Sequence, residues 1–194
     1  DATPAKIEFT EATAVDANAT LGGILSGLQV DGEPVATPPG GGFDGGRLAA
    51  LFKERDVYLP EAQAQLDAIA RDLITRVSGS DADPSLAVGD PGLFTDAGGA
   101  FVAAAETGLA QRLRVNSAVD PGQGGGLWRL RDGINAAAPG PVGNPDGLNR
   151  LIDVLAESRS PASGNFGAVR YSISGLFSAA AADAHGAVVT AESD

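Results

Sequence analysis

The sequence predicts a mainly α (α+β) protein, an elongated bundle of long antiparallel helices with a small β-rich part. Two long segments carry apolar residues at spacings of three and four, the pattern of a helix with one buried face. A shorter segment near the start alternates polar and apolar residues, as a half-buried strand does. We therefore expect a small β-rich segment at residues 1–38 and a helical bundle domain at 39–194, with a loop-rich middle at about 78–143.

The β-rich segment is expected to hold one strand followed by a short strand or hairpin. Residues 6–11 alternate in polarity, and residues 24–30 run into Asp31-Gly32, a dipeptide that favours a tight turn. The glycine- and proline-rich stretch 38–46 then interrupts the pattern and marks the expected domain boundary. Asp44 is placed to cap the helix that follows.

The first long helix is expected over residues 45–77. Its apolar seam consists of Leu59, Ala62, Leu66, Ile69 and Leu73. Its solvent-exposed face is expected to carry the ion pairs Asp67–Arg71 and Asp72–Arg76, each spaced by four residues. Pro60 has no backbone N–H, so a kink or a new helix start is expected there. A narrow seam requires a partner helix, and Leu66→Asp is therefore expected to unfold the bundle.

The remaining elements are less regular until the end of the chain. Residues 111–115 alternate and predict a lone strand or an extended segment, and residues 127–134 form a short apolar element. Asn144-Pro145 predicts a helix start. The apolar face of that helix is expected to contain Leu148, Leu151, Ile152 and Leu155. A second long helix, rich in alanine, is expected from residue 165 onward as the partner of the first.

Composition excludes several classes of function. The formal net charge of −12 argues against nucleic acid as a partner, since phosphate binding needs clustered Lys and Arg. With no cysteine, disulfides and thiolate chemistry are excluded. Aromatic residues make up 5% of the chain, which disfavours a large aromatic-lined pocket. No apolar run approaches ~18 residues, so no membrane span is expected. The start does not resemble a signal peptide, and we interpret the chain as a fragment of a longer protein.

The residues that could carry chemistry each have a simpler interpretation. His185 is the sole histidine and no G-x-S-x-G motif accompanies it, so a surface or seam-edge position is expected. The glycine clusters at 40–42 and 124–126 lack the residues of a phosphate-binding loop and are interpreted as flexible linkers. Asp81, Asp83 and Asp90 miss the EF-hand spacing, which predicts a solvated acidic loop.

Trp128 is the one chemical feature with two balanced interpretations. Together with Arg129 and Arg131 it could mark a binding patch, because Trp and Arg favour such positions. Equally, it could anchor the core of the loop-rich middle. We predict no catalytic residue, no cofactor and no metal ligand.

The stretch from Gly45 to Val77 resembles the flagellar hook-associated proteins that form the first layer of the hook–filament junction. The residues that match the pattern of that family are Gly45, Gly46, Leu48, Ala50, Leu51, Arg55, Asp56, Leu59, Pro60, Gln63, Gln65, Leu66, Asp67 and Ala70. Softer matches lie at residues 90–94, 113–121 and 166–186, so the resemblance covers roughly residues 40–190. Departures are Ser78-Gly79-Ser80 in place of a His-containing loop, and the lack of a large β insertion after Phe94.

The resemblance implies a structural, non-enzymatic role. Members are exported unfolded through the flagellar type III apparatus without a cleaved signal, and then assemble outside the cell as a ring between hook and filament. The implied partners are copies of the same protein, the neighbouring hook and second junction proteins, and an export chaperone of the full-length chain. The chain-terminal segments of the family, which form the inner tube of the axial structure, are not found here.

Rival functions predict different structures. Flagellin or the second junction protein is the nearest rival, and the Gly45–Ala70 pattern favours the first junction protein over both. A secreted carbohydrate-binding or hydrolytic domain would show a concave cleft with two inward carboxylates of raised pKa, whereas an elongated helical rod without such a cleft would exclude it. A periplasmic ligand-binding module would show a large apolar pocket.

Overall fold

The structure, a computed structural model, describes residues 4–20, 23–37 and 45–193. It divides into an N-terminal unit, Asp1–Gln63 with Ala184–Asp194, and a central unit, Ala64–Asp183. The predicted boundary at residues 38–39 and the predicted cap at Asp44 lie outside the described residues.

The predicted bundle of long antiparallel helices is wrong. The chain is 41% helical, its longest continuous helical run has 31 residues, and two small sheets accompany the helices. Most of the other helices are short and separated by loops. The chain holds 27 glycines and 12 prolines, and many of the glycines between elements adopt a positive φ that ends regular structure. A mixture of α and β elements remains, as the sequence indicated.

A three-stranded antiparallel sheet lies in the N-terminal unit. It consists of β1 (Ile7–Glu8), β2 (Leu28–Val30) and β3 (Glu33–Val35), in that order. The turn between β2 and β3 has Asp31 at φ 54° and Gly32 at φ 83°, and positive φ at both central positions is what a type I′ hairpin turn requires. The predicted hairpin is therefore confirmed.

The predicted first helix forms with a widened turn in front of Pro60. Helix α1 (Gly46–Lys53) passes through a five-residue π-helical segment (Glu54–Tyr58) into α2 (Leu59–Arg76). The N–H of Leu59 donates to the carbonyl of Glu54, five residues earlier. Because Pro60 has no N–H to donate, a change of hydrogen-bond register here lets the helix continue. The expected kink or new start is thus replaced by a π-helical segment.

In the central unit, two short strands pair where the sequence indicated one. Strand β4 (Phe94–Asp96) runs antiparallel to β5 (Leu113–Val115), with Phe94 opposite Val115. The strand prediction for residues 111–115 is confirmed over its last three positions, but β4 has too little periodicity to be predicted. Helix α3 (Leu109–Arg112) leads directly into β5.

Three further helices complete the chain: α4 (Arg129–Asp132), α5 (Asp146–Ala156) and α6 (Ile173–Ser193). Helix α5 begins near Asn144-Pro145 as predicted, with Asn144 Oδ1 accepting the N–H of Asp146 at 3.0 Å. Helix α6 begins eight residues later than predicted, at 173 and not 165. Asn165 and Gly167 have positive φ, and a backbone bridge joins Arg159 to Tyr171, so this part of the chain cannot be helical. No helix in the described part of the chain is long and apolar enough to cross a membrane.

The core of the central unit surrounds α2, in which four consecutive residues, 67–70, are all buried. Ala68 and Ile69 pack with Phe166 and with Leu176 of α6, and further along α2 Ile74 packs with Leu109. Beyond the end of α2, Val77 packs with Ala82 and with Val154 of α5.

The predicted apolar seam of the first helix is wrong at three of its five positions, because Leu59, Ala62 and Leu66 are exposed. Leu59 is 58% exposed and Leu66 is 50% exposed, whereas Ile69 is buried. The buried positions of α2 are Asp67, Ala68, Ile69, Ala70, Asp72, Ile74 and Arg76. Since Leu66 is half exposed, Leu66→Asp buries no charge and is not expected to unfold the protein. The face of α5 shifts likewise: Leu148 and Ile152 are exposed, whereas Val154 is buried.

The predicted solvent-exposed placement of the two ion pairs is wrong, because Asp67, Asp72 and Arg76 are buried. Arg76 does pair with Asp72, yet its side chain is 0% exposed. Its guanidinium also donates to the carbonyls of Val154 at 2.8 Å and Tyr171 at 3.0 Å, and to that of Glu157. One side chain thereby satisfies carbonyls at the end of α5 and at the bridge before α6.

Asp67 fulfils the corresponding role for α3. Its carboxylate accepts the N–H of Gly108 at 2.7 Å and that of Ala110 at 2.8 Å, so it caps the start of that helix from a distance of some forty residues in sequence. Arg71, the predicted partner of Asp67, pairs instead with Glu106. Buried carboxylates are tolerated when they accept such hydrogen bonds.

We predict that Arg76→Ala lowers the free energy of unfolding by about 3–5 kcal/mol, because it removes the cation paired with the buried Asp72 carboxylate and the side-chain donor to three carbonyls. Urea denaturation followed by circular dichroism measures this change. The matched control is Arg159→Ala, whose ion pair with Glu157 is partly exposed and is worth about 0–1 kcal/mol. Equal losses in the two variants would contradict the role assigned to Arg76.

Candidate functional site

Two concave regions of the central unit share Arg129 and Ile134 in their linings. The first is a cavity of about 20 Å³ that is lined partly by Asp83, Arg131 and Arg150. The Nε atom of Arg150 is buried and has no hydrogen-bond partner in the described part of the chain. This volume accommodates one water molecule and no substrate, so the cavity is not a substrate site.

The second region, which we call the Trp128 cleft, has the size of a ligand site. Its volume is about 930 Å³ and it is open to solvent; ligand pockets commonly have roughly 300–1,000 Å³. Its polar and aromatic lining residues are Ser117, Gln123, Trp128, Arg129 and Asn135. Glycines, alanines and Ile134 complete the lining, and none of these described residues is acidic.

One wall of the Trp128 cleft is a tightly packed glycine turn. Asp120 accepts the N–H of Gly122 and the side-chain amide of Gln123, both at 2.8 Å. A Cβ on Gly125 would lie 2.2 Å from the carbonyl oxygen of Ser117, so only glycine allows this close approach of the two backbone segments. The interpretation of residues 124–126 as a flexible linker is therefore wrong.

Arg129 connects this wall to the opposite one. Its guanidinium carbon lies 4.5 Å from the centroid of the Trp128 ring, within the range of a cation–π contact. Its Nη1 donates to the carbonyl of Ala136 at 2.9 Å and also to that of Ile134. Trp128 and Arg129 are thus brought together, as a binding patch requires, whereas Arg131 forms an ion pair with Asp132.

The opposite wall is fixed at Asn135. Its side-chain amide donates to Asp90 at 2.7 Å, and its backbone N–H donates to Ser85 Oγ at 3.0 Å. Asp83 accepts the neighbouring N–H of Ile134 at 2.7 Å. Sequence reasoning missed Asn135, because nothing in the local pattern shows which loop faces Trp128.

Of Asp81, Asp83 and Asp90, the latter two accept hydrogen bonds that hold loops in place. Asp83 is 8% exposed and hydrogen-bonded, so the prediction of a solvated acidic loop is wrong at that residue. Asp81 is exposed. Within residues 4–20, 23–37 and 45–193, no group of three or more His, Asp or Glu side chains is placed to hold a metal ion.

The residues of the flagellar resemblance lie in both units. Gly45, Gly46, Leu48, Leu51, Arg55, Asp56, Leu59 and Pro60 belong to the N-terminal unit, and Leu66, Asp67 and Ala70 to the central unit. Arg55 donates to the carboxylate of Asp56 and to the carbonyl of Ser26 at 3.0 Å, which ties the helical run to the sheet segment of the N-terminal unit. His185 is exposed on α6, one of the two positions expected for it.

Two carboxyl groups of the central unit, those of Asp120 and Asp132, have a lowered pKa. The hydrogen bond from the Gln123 side chain, together with that from the Gly122 N–H, lowers the pKa of Asp120 below its usual range. The hydrogen bond from Arg131 lowers the pKa of Asp132. A general acid needs a raised pKa, so both groups are shifted in the direction opposite to glycosidase chemistry.

No protein-family model matches the chain, and neither a curated protein nor a solved structure is significantly similar to it. The resemblance to the junction proteins therefore remains a prediction that depends on the residues quoted for it.

We predict that Asp120→Asn lowers the Tm at pH 7 and that this difference is smaller at about pH 3, below the unfolded-state pKa. The folded-state pKa of Asp120 is depressed, so its contribution to stability is present above the unfolded-state pKa of about 3.9 and is lost as pH falls through the folded-state value. Thermal unfolding followed by circular dichroism at both pH values measures the difference.

The control for this experiment is Asp153→Asn, which changes an exposed acid whose carboxylate accepts no hydrogen bond from the described residues. Its Tm difference from wild type is expected to be smaller at pH 7. A Tm difference for Asp120→Asn that persists unchanged at low pH would show that the charge of Asp120 does not stabilise the turn.

Proposed function

We propose that this chain is the folded part of a structural subunit of the bacterial flagellum, which forms the junction between hook and filament by subunit packing. The resemblance of residues 45–70 supports this function. The observation that carries the proposal is the exposure of apolar residues within that stretch. Leu48, Leu51 and Leu59 are 47%, 51% and 58% exposed.

These leucines share one side of the helical run. Leu51 follows Leu48 by three residues, and Leu59, at the start of α2, follows Leu51 by eight. At these spacings the three side chains project in similar directions. We call them the leucine face. The other side of α1 is occupied within the N-terminal unit: Ala49 and Phe52 are buried, and the ring of Phe52 meets that of Phe9 edge-on at 6.2 Å.

The leucine face has the chemistry of a packing surface. Completing the burial of a half-exposed leucine contributes about 1 kcal/mol, and a lengthwise contact between helices buries several such residues at once. In the proposed assembly the leucine face packs against neighbouring subunits of the ring. The net charge of −12 opposes association of isolated copies, so assembly depends on the full-length chain at the growing tip.

Under this proposal the protein is not an enzyme and needs no cofactor. It acts outside the cell after export through the flagellar type III apparatus. Its partners are copies of itself and the adjoining hook and second junction proteins, with an export chaperone before secretion. Flagellin or the second junction protein remains the alternative within the same class.

The direct test of the function is immunogold electron microscopy of the source bacterium with antibody raised against this chain. A band of gold at the hook–filament boundary is expected. Gold along the whole filament would assign the chain to flagellin. An absence of gold from every flagellum, with expression and antibody access confirmed, would contradict a flagellar role.

We predict that Leu51→Asp in the full-length protein reduces its incorporation at the hook–filament boundary at least tenfold. The exposed position leaves the free energy of unfolding of the subunit within about 0.5 kcal/mol of wild type, because no buried contact is removed. Incorporation is counted as gold per flagellum in cells that lack the wild-type gene.

The matched control is Val142→Asp, which places the same charge at a 97% exposed valine outside the leucine face. This variant is expected to incorporate normally. Equal incorporation of the two variants would show that the leucine face is not a packing surface.

A further inference from the structure

The Trp128 cleft contains none of the residues of the leucine face. Its geometry is that of a preformed binding site. Both walls are held by hydrogen bonds: Asp120 fixes the glycine turn, Asp90 fixes Asn135, and Arg129 joins the two. Binding to walls that are already ordered avoids the entropy cost of ordering them.

The polar lining groups that have no hydrogen-bond partner among the described residues are neutral. Trp128 Nε1, Ser117 Oγ and Asn135 Oδ1 form no hydrogen bond with any residue in the described ranges. They offer donors and acceptors beside the half-buried indole ring. Such a combination of an aromatic surface with amide and hydroxyl groups suits a ligand that has both apolar faces and hydroxyl groups.

Charge excludes other classes of ligand. No acid among the described residues lines the cleft, so these residues offer nothing to balance the charge of an amine or a metal ion. Its one cation, Arg129, already donates to two carbonyls and lies over Trp128, and the chain as a whole carries −12. Phosphates and nucleotides are therefore disfavoured.

We propose that the Trp128 cleft binds a neutral saccharide, with a sugar ring against the part of the Trp128 indole that Arg129 leaves exposed and its hydroxyl groups bonded to the side chains of Asn135 and Gln123. The volume of about 930 Å³ has room for more than one sugar ring, which indicates an oligosaccharide. Binding involves no covalent step, since neither wall supplies a carboxylate for hydrolysis.

Trp128 is the single tryptophan, so its fluorescence reports on this cleft alone. The experiment titrates the intact chain with cellohexaose, chitohexaose, maltohexaose and mannohexaose, and separately with inorganic phosphate. We expect at least one hexasaccharide to give a saturable change in emission, and phosphate to give none. A response to phosphate alone, or to none of the probes at millimolar concentration, would overturn the proposal.

Two variants connect the signal to the cleft. Asn135→Ala is expected to weaken binding of the responding saccharide at least tenfold, whereas Asn149→Ala changes an exposed amide on α5 and is expected to bind as wild type does. Ser117→Phe places a ring at an exposed position in the cleft lining and is expected to block binding without disturbing buried contacts. Circular dichroism confirms folding of each variant. Unchanged affinity in folded Ser117→Phe, or equal affinity in the two asparagine variants, would overturn the proposal.

Discussion

The buried guanidinium of Arg76 is the interaction on which the central unit depends. It pairs with Asp72 on its own helix and donates to carbonyls at residues 154, 157 and 171, which lie up to 95 residues away in sequence. Because a buried cation without partners costs several kcal/mol, α2 can pack in this position only when the end of α5 and the segment before α6 are also in place. In that arrangement, which the hydrogen bonds of Arg76 require, the clusters along α2 bury apolar side chains.

The same physical constraint shapes the loops around the Trp128 cleft. Short helices and long connections leave many backbone N–H groups without a partner in regular structure, and each must find an acceptor. Asp67, Asp83 and Asp120 supply such acceptors, and so several of the acidic residues have a structural role. A protein with few regular elements thus obtains a cleft with fixed walls. Assembly through the leucine face and saccharide binding in the cleft would use separate surfaces, one in each unit.

Local signals in the sequence predicted local structure well. The Asp31-Gly32 hairpin, the helix after Asn144 and the strand ending at Val115 all depend on neighbouring residues, and all three form. The i, i+4 spacing also identified the Asp72–Arg76 pair. It could not show that the pair is buried, or that Arg76 also donates to carbonyls far away in sequence. Trp128 and Arg129 were recognised as a candidate patch from their residue types. Asn135 joins them only through the fold, and no pattern in one sequence reveals that proximity.

Amide hydrogen exchange at Gly108 and Ala110 tests most directly whether buried charges on α2 organise the loops. Among the described residues, both amides donate only to the carboxylate of Asp67. Two-dimensional NMR in D₂O is expected to show them exchanging about as slowly as the amide of Ile74 in the core of α2. Exchange of both amides at the rate of an unstructured peptide, with Ile74 still protected, would contradict the account.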